Sequence, residues 1–172
     1  ARLRQKTYRF SNRLRQRRQH LRTILIVGDT MEKITHSAEE SIEFGKLIGS
    51  KLKKGDVIAY TGDLGAGKTT LTRGIIMGLG LKDEVFSPTF TLSNEYYGDN
   101  VTVYHFDMYR LNSPEDLENI GYYDYPLEDN VAIIEWSENV KQALGKDTIN
   151  IDIQRIDDNT RKITISGGDR FC

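Results

Sequence analysis

Residues 62–69 read Gly62-Asp63-Leu64-Gly65-Ala66-Gly67-Lys68-Thr69, which matches the pattern G-x-x-x-x-G-K-[ST] at every defined position. Glycines let the backbone curl so that successive N–H groups point at phosphate oxygens. Lys68 is a mobile positive charge suited to the outer phosphates, and the Thr69 hydroxyl suits one position of a bound Mg²⁺. An apolar segment leads into the motif and a helical pattern leads out, so the sequence predicts a phosphate cradle for ATP rather than a plain strand-to-helix turn.

The surrounding pattern predicts an α/β protein with the three-layer P-loop NTPase fold and a mixed sheet. Ser37 and Glu40 form a capping box, which predicts the start of a helix that ends near Gly55. Further helices are expected at residues 68–79 and 138–144, and a short one after Ser113-Pro114. Strands are predicted at residues 32–35 (a short edge strand), 56–61, 90–97, 101–106, 131–134, 149–156 and 162–166, of which the last two form an antiparallel C-terminal pair.

Composition restricts the class of protein. The chain has 172 residues, with 38% hydrophobic and 28% charged residues, which suits one folded domain. No apolar run approaches the roughly 18 residues of a membrane helix, and no apolar region of a secretory signal follows the basic start. The single cysteine, Cys172, can form no internal disulfide. We therefore expect no membrane partner and a reducing, cytoplasmic setting.

Charge is distributed unevenly along the chain. Residues 1–30 contain nine Arg or Lys and one acidic residue, whereas residues 31–172 contain the other 15 basic and 24 acidic residues. This division predicts a basic N-terminal arm or leader at residues 1–30 and a P-loop ATPase domain at residues 31–172. The arm is interpreted either as an RNA-binding tail or as a leader before Met31, since Met31 could be the start of the folded domain.

Two carboxylates follow apolar strands, as the metal-side acids of P-loop enzymes do. Asp107 follows residues 103–106, and Glu135 follows residues 131–134. Strand ends in open α/β sheets face the ligand crevice, so both could converge on Mg²⁺, although each could also be an ordinary solvated carboxylate. From its residue type alone, Trp136 is interpreted as a core or edge residue, and His105 is interpreted as a packing residue.

The segment Ser87-Pro88-Thr89-Phe90-Thr91 lies between the P-loop helix and the next predicted strand. Many P-loop proteins carry a loop there that responds to the γ-phosphate. Ser-Pro-Thr is equally typical of a plain loop, so the residues alone leave both interpretations open.

Four motifs follow one another along the chain: Gly62-Asp63-Leu64-Gly65-Ala66-Gly67-Lys68-Thr69-Thr70, Ser87-Pro88-Thr89-Phe90-Thr91, His105-Phe106-Asp107-Met108-Tyr109-Arg110 and Ile134-Glu135-Trp136. Together and in this order they resemble the TsaE (YjeE) family of bacterial ATPases, which is required for threonylcarbamoyladenosine modification of tRNA. The resemblance covers about residues 32–166, and the basic arm has no counterpart in it.

The resemblance implies roles for individual residues. Thr69 and Glu135 are implied as Mg²⁺ ligands with Asp107 on the metal side, and Thr89 is implied as part of a switch-like loop. Catalysis is implied for Lys68, Asp107, Glu135 and Trp136. The implied ATP-contacting residues are Gly62, Asp63, Leu64, Gly65, Ala66, Gly67, Lys68, Thr69, Thr70, Thr89 and, more weakly, Ser41.

The resemblance also implies partners and a mode of action. The family is an accessory ATPase that docks on the heterodimer of TsaD and TsaB, so contact with tRNA is expected to be indirect, through the complex. Weak intrinsic hydrolysis is expected, and the partner is expected to complete the site.

The main alternative is a small-molecule or nucleoside kinase. Arg73 and Arg110 are the only arginines between the P-loop and Glu135, and we find no lid. A GTPase lacks support because no Asn-Lys-x-Asp segment is present. A binding module with an inactive P-loop is disfavoured by the acidic partners.

Overall fold

The computed structural model describes residues 24–168 and 171, apart from residues 28 and 83. Residues 1–23, which hold most of the predicted basic arm, and Cys172 lie outside the described residues. The described chain contains β1 (Ile24–Val27), β2 (Thr30–Thr35), α1 (Ala38–Gly49), β3 (Val57–Thr61), α2 (Lys68–Gly78), β4 (Ser93–Tyr97), β5 (Thr102–Asp107), α3 (Asp116–Asn119), β6 (Val131–Glu135), β7 (Ile149–Arg155) and β8 (Arg161–Ser166).

The strands form one mixed sheet in the order β1-β2-β8-β7-β3-β6-β5-β4. The four central strands β7, β3, β6 and β5 run parallel. The others pair antiparallel, including β7 with β8 at the C-terminal end of the chain. This confirms the predicted mixed sheet and its antiparallel C-terminal pair. Because the carboxyl ends of the parallel strands meet at one edge, the loops after β3, β5 and β6 are neighbours there.

The N-terminal strands differ from the sequence prediction. The predicted edge strand at residues 32–35 begins at Thr30 and lies inside the sheet, between β8 and β1. The edge is formed by β1, whose residues were counted with the basic arm, and Ile24 pairs with Lys33. Short apolar segments gain a ladder of backbone hydrogen bonds only where a partner strand is present, which the local pattern did not reveal. The separate role of residues 1–30 stays a prediction.

Both sides of the sheet are covered. One core packs α1 and α2 against the sheet, and its members include Phe44, Ile48, Leu71 and Ile75. A second core lies under α3 and the short 3₁₀ turns, where Phe106 packs edge-on against two tyrosines. The fold is therefore three-layered, with a thin outer layer on the second side.

One predicted helix is replaced by 3₁₀ turns, and one predicted strand is shortened by another. The helix expected at residues 138–144 is two turns, Ser137–Asn139 and Lys141–Ala143. The Asn139 side chain donates to the Met108 carbonyl oxygen at 2.9 Å, so a contact with the chain after β5 holds this segment. The strand expected from residue 90 begins at Ser93, because Pro88–Phe90 form another 3₁₀ turn.

Helices α1 and α2 approach each other through glycines. A Cβ atom on Gly74 would lie 2.2 Å from the Ile42 carbonyl oxygen, and one on Gly45 would lie 2.5 Å from that of Leu71. Gly49 and Gly78 repeat the arrangement one turn later on the two helices, at 2.1 and 2.3 Å from backbone oxygens. The backbones therefore touch, which leaves no room for side chains between them.

Gly74→Ala is expected to lower stability. The methyl group gains up to about 1 kcal/mol of helix propensity, but separating the helices costs about 1–3 kcal/mol and outweighs that gain. Thermal melting should show a fall in Tm of a few degrees. Gly145→Ala is the matched control, because a Cβ there meets nothing within 4 Å. An unchanged Tm in Gly74→Ala would contradict the close approach.

Candidate functional site

The loop after β3 has the backbone of a phosphate cradle. Gly62, Gly65 and Gly67 adopt positive φ values of 133°, 75° and 109°, which L side chains rarely tolerate. Gly62 also lies against β7, since a Cβ there would be 2.5 Å from the Ile153 carbonyl oxygen. The first glycine therefore serves both the turn and the close contact with the neighbouring strand.

The N terminus of α2 opens directly from this loop. Gly67 is its N-cap, no side chain caps it, and its first turn holds no acidic residue. The first N–H groups of a helix have no intrahelical acceptor and carry the positive end of the helix dipole. An anion, and phosphate in particular, is therefore the ligand that this end favours.

Lys68 is held across the loop. Its side chain is buried, and Nζ donates to the carbonyl oxygens of Gly62 at 2.7 Å and Asp63 at 3.1 Å. The same ammonium lies 4.4 Å from the centre of the Trp136 ring. Attraction between a cation and an aromatic face supports this position. These contacts place the ammonium on the loop, and the contact of Lys68 with phosphate stays a prediction.

The two predicted carboxylates lie side by side. Asp107 ends β5, Glu135 ends β6, and the two are register partners in the parallel pair. Ile133 shares the face of β6 with Glu135 and belongs to the core under α2, so the carboxylates lie on the P-loop side of the sheet. Both are only 3% exposed. They are therefore buried acids rather than the ordinary solvated carboxylates of the alternative interpretation.

The oxygen atoms of these carboxylates are not all used within the protein. Asp107 Oδ1 accepts from the Tyr109 N–H at 2.8 Å, whereas Oδ2 is buried without a hydrogen-bond partner among the described residues. Glu135 Oε1 lies 3.0 Å from Nε2 of His105. An unpartnered buried carboxylate oxygen is costly unless a ligand completes it.

These residues fit a magnesium ion. Carboxylate and hydroxyl oxygens are hard ligands of the kind Mg²⁺ prefers, and this ion is commonly held by one or two carboxylates together with substrate phosphates. The described part of the chain contains no cluster of three or more His, Cys, Asp or Glu that could hold a metal alone. Thr69, Asp107 and Glu135 lie beside a phosphate cradle, so they match a site in which the protein and the substrate phosphates bind Mg²⁺ together.

Trp136 adopts a strained backbone. Its φ of 56° and ψ of 43° place a bulky residue in the left-handed region, which costs about 1–3 kcal/mol and is concentrated at functional sites. Its ring packs against that of Tyr109 in a tilted arrangement at a centroid distance of 5.0 Å, and it also contacts Lys68. The Ser137 hydroxyl donates to the Tyr60 carbonyl oxygen at 2.9 Å, which anchors the turn to β3. The strain therefore places the indole over the loop rather than in the core.

The Ser-Pro-Thr segment is connected to Asp107. The hydroxyls of Ser87 and Thr89 lie 2.8 Å apart, and the Arg110 guanidinium donates to the Thr89 carbonyl oxygen at 3.4 Å. Leu92, at the end of the segment, has a φ of 68°, and its carbonyl oxygen accepts from the Asp107 N–H at 2.9 Å. A movement of this segment would therefore change the hydrogen bond that holds the Asp107 backbone. The role of Thr89 at a nucleotide stays a prediction.

Ser41 lies in the first turns of α1. Its buried hydroxyl is 2.8 Å from Thr35 Oγ1 and 3.1 Å from the Ser37 carbonyl oxygen. These bonds join the helix start to β2. A contact between Ser41 and nucleotide stays a prediction.

Sequence reasoning missed two contacts near the site. His105 is buried, as expected of a packing residue, but its ring also hydrogen-bonds to Glu135. Arg161 on β8 donates through Nε to the Ala66 carbonyl oxygen of the P-loop at 2.7 Å, across 95 residues of sequence. Arg161 also donates to the Asp157 carbonyl oxygen at 2.8 Å, so it ties the β7–β8 turn to the cradle. No local signal could reveal that contact.

Arg161→Gln is expected to weaken nucleotide binding about 10-fold, because the P-loop loses an anchor and a nearby positive charge. Arg155→Gln is the matched control, since Arg155 is the register partner of Arg161 and pairs with Asp158 at the surface. Calorimetric titration with ATP would measure both variants. An equal loss in the two would mean that only net charge matters.

None of the helices in the described part of the chain has the length and apolar character needed to cross a bilayer.

Comparisons with known proteins agree with the geometry. The family described as "Threonylcarbamoyl adenosine biosynthesis protein TsaE" matches residues 35–163, which include the cradle and both carboxylates. A protein of Treponema pallidum named tRNA threonylcarbamoyladenosine biosynthesis protein TsaE is 38% identical over 136 residues, covering 79% of this chain and all of that protein. The proteins of the same name from Haemophilus influenzae and Bacillus subtilis are 41% and 38% identical, and the alignments cover 74% and 80% of this chain and 86% of each relative.

A solved structure also resembles this one. The crystal structure of YdiB from Bacillus subtilis superposes with a TM-score of 0.66 at 33% sequence identity. The match covers 83% of this chain and 88% of YdiB. The likeness therefore extends over most of the chain rather than the P-loop alone.

Proposed function

The chain belongs to the TsaE family, and from this premise we propose that it is an Mg²⁺-dependent ATPase that serves threonylcarbamoyladenosine modification of tRNA. The observation that supports this chemistry is that positive and negative groups lie near one another at the carboxyl ends of the parallel strands. The ammonium of Lys68 and the uncapped N terminus of α2 lie on the loop after β3. The buried pair Asp107 and Glu135 ends β5 and β6, and β6 is the strand that pairs with β3.

Each part of this arrangement has a task in the proposal. The N–H groups of the cradle bind the phosphates, and Lys68 exchanges its carbonyl partners for phosphate oxygens and stabilises the charge that develops during hydrolysis. Thr69 and Glu135 hold Mg²⁺, which when bound would neutralise phosphate charge and orient the phosphates. Asp107, whose Oδ2 has no hydrogen-bond partner among the described residues, would orient the attacking water directly or from the metal side. Trp136 covers Lys68 and limits the access of bulk water to it.

The proposal includes partners. Several large apolar side chains on the loops around the site are exposed, among them Leu64 at 87% and Phe90 at 91%. Exposed apolar groups of this size around a site are typical of a protein contact, and the resemblance to the family suggests the TsaB–TsaD heterodimer. Contact with tRNA is then indirect, through that complex, and the location is cytoplasmic. Hydrolysis by the isolated chain is expected to be weak because a partner completes the site.

A reconstitution tests the proposal. Purified TsaB and TsaD, tRNA and the activated threonylcarbamoyl donor are incubated with the full chain, and modified adenosine is counted per complex. We expect repeated turnover only with the chain, ATP and Mg²⁺ together, and retention of the chain by immobilised TsaB–TsaD. Absence of ATP binding in Mg²⁺ would overturn the ATPase. Transfer of phosphate to an added nucleoside, in place of hydrolysis, would favour the kinase alternative.

A further inference from the structure

A buried hydrogen bond fixes one oxygen of Glu135. His105 on β5 has no exposed surface, and its Nε2 lies 3.0 Å from Glu135 Oε1 on β6. Glu135 is itself 3% exposed. Neither partner can exchange this bond freely for water, so the bond restrains the carboxylate more than a surface contact would.

The strand register explains the contact. Asp107 faces Glu135 across the parallel pair, and His105 faces Ile133. Side chains two positions apart share a face, so His105 lies behind Glu135 on the core side while Asp107 lies beside it at the strand end. The ring is also packed near Tyr96 of β4, at a centroid distance of 6.2 Å. The histidine is therefore held on one side by an aromatic ring and on the other by the carboxylate.

The direction of the hydrogen bond follows from the acceptor. When the carboxylate is ionised it can only accept, and the hydrogen bond then requires the His105 tautomer that carries its proton on Nε2. The other ring nitrogen, Nδ1, is buried and has no partner among the described residues, which suits a lone pair better than an N–H. All of the ring's polar contact in the described structure is thus directed at one carboxylate oxygen.

We infer that His105 is a positioning residue for Glu135: it holds Oε1 by donating from Nε2 and so presents Oε2 toward the cation that accompanies ATP. Outer hydrogen bonds of this kind orient a metal ligand and commonly change metal affinity by about 10- to 100-fold when removed. The inference rests on the proposed Mg²⁺-ATP function. It assigns no direct contact between His105 and metal or nucleotide.

The test measures binding rather than hydrolysis. ATP affinity is determined by calorimetry once in EDTA and once in saturating Mg²⁺, and the ratio gives the contribution of the metal. His105→Phe keeps a packed ring but cannot donate, and it is expected to lower that ratio about 10-fold while leaving the metal-free affinity unchanged. His105→Gln can still donate from its amide, so it should retain most of the ratio. Val103→Ala is the packing control, because Val103 is buried on the same face of β5.

A double variant supplies the coupling. If His105 acts through Glu135, adding His105→Phe to Glu135→Gln should lower the ratio no further. An equal loss of affinity with and without Mg²⁺, or the same change in Val103→Ala, would overturn the inference in favour of packing. If His105→Phe does not fold, His105→Asn, whose amide is too short to reach Glu135, is compared with His105→Gln, and equal ratios in these two would overturn it.

Different results would exclude the role of Glu135 and the role of His105. A normal ratio in Glu135→Gln would remove Glu135 from the metal site, and the role of His105 would fall with it. A reduced ratio in Glu135→Gln together with a normal ratio in His105→Phe would leave the proposed function intact and remove only His105.

Discussion

Lys68→Ala is expected to lower ATP hydrolysis by about 100- to 1,000-fold, because a preorganised donor to the charge of the transition state is lost. The side chain is only 6% exposed, yet its ammonium donates to carbonyl oxygens of its own loop and otherwise lies over the Trp136 ring. The variant leaves those carbonyls accessible to water. Folding should therefore change little, with a shift of a few degrees at most in Tm without nucleotide.

The measurement is single-turnover hydrolysis with the partner complex present, so that weak intrinsic activity does not mask the loss. Lys54→Ala is the control for removal of a positive charge, since Lys54 is exposed in the turn before β3. Hydrolysis by Lys68→Ala at the parent rate would show that the cradle has been assigned wrongly. A collapse of Tm would instead mean that Lys68 has a structural task that its contacts do not indicate.

The second large effect separates the two carboxylates. Glu135→Gln is expected to weaken ATP binding in Mg²⁺ by at least about 10-fold and to slow hydrolysis as well, because a metal ligand is lost. Asp107→Asn should leave binding close to the parent and slow hydrolysis about 100-fold, since the positioning of the attacking water matters chiefly in the transition state. Both substitutions conserve shape.

Titration of Mg²⁺ against nucleotide affinity, followed by single-turnover hydrolysis, measures this division. Glu128→Gln and Asp99→Asn are charge-matched controls at exposed positions. Parent-like Mg²⁺ dependence in Glu135→Gln would exclude the ligand role. Undiminished hydrolysis in Asp107→Asn would exclude that residue from catalysis. Exchanged phenotypes would keep the site but reverse the two roles. Asp107 would then be the metal ligand, and its Oδ2, which has no hydrogen-bond partner among the described residues, would be the oxygen available for that role.

The sequence by itself determined the parts of the site that are local. The cradle needs positive φ values at fixed spacings, and the glycines at positions 62, 65 and 67 allow them within a single short loop. The acids were found because apolar runs locate strands and carboxylates at their ends lie at the ligand edge of a parallel sheet.

Tertiary structure alone decided which distant segments meet. The contact of Arg161 with Ala66 spans 95 residues and that of His105 with Glu135 spans 30, so neither follows from periodicity or local propensity. The position of β2 inside the sheet, the 3₁₀ turns after β6 and the direct contact of α1 with α2 depend in the same way on partners elsewhere in the chain. Local patterns fix the direction of a side chain relative to its own strand or helix. Sheet order and register fix what that side chain then faces.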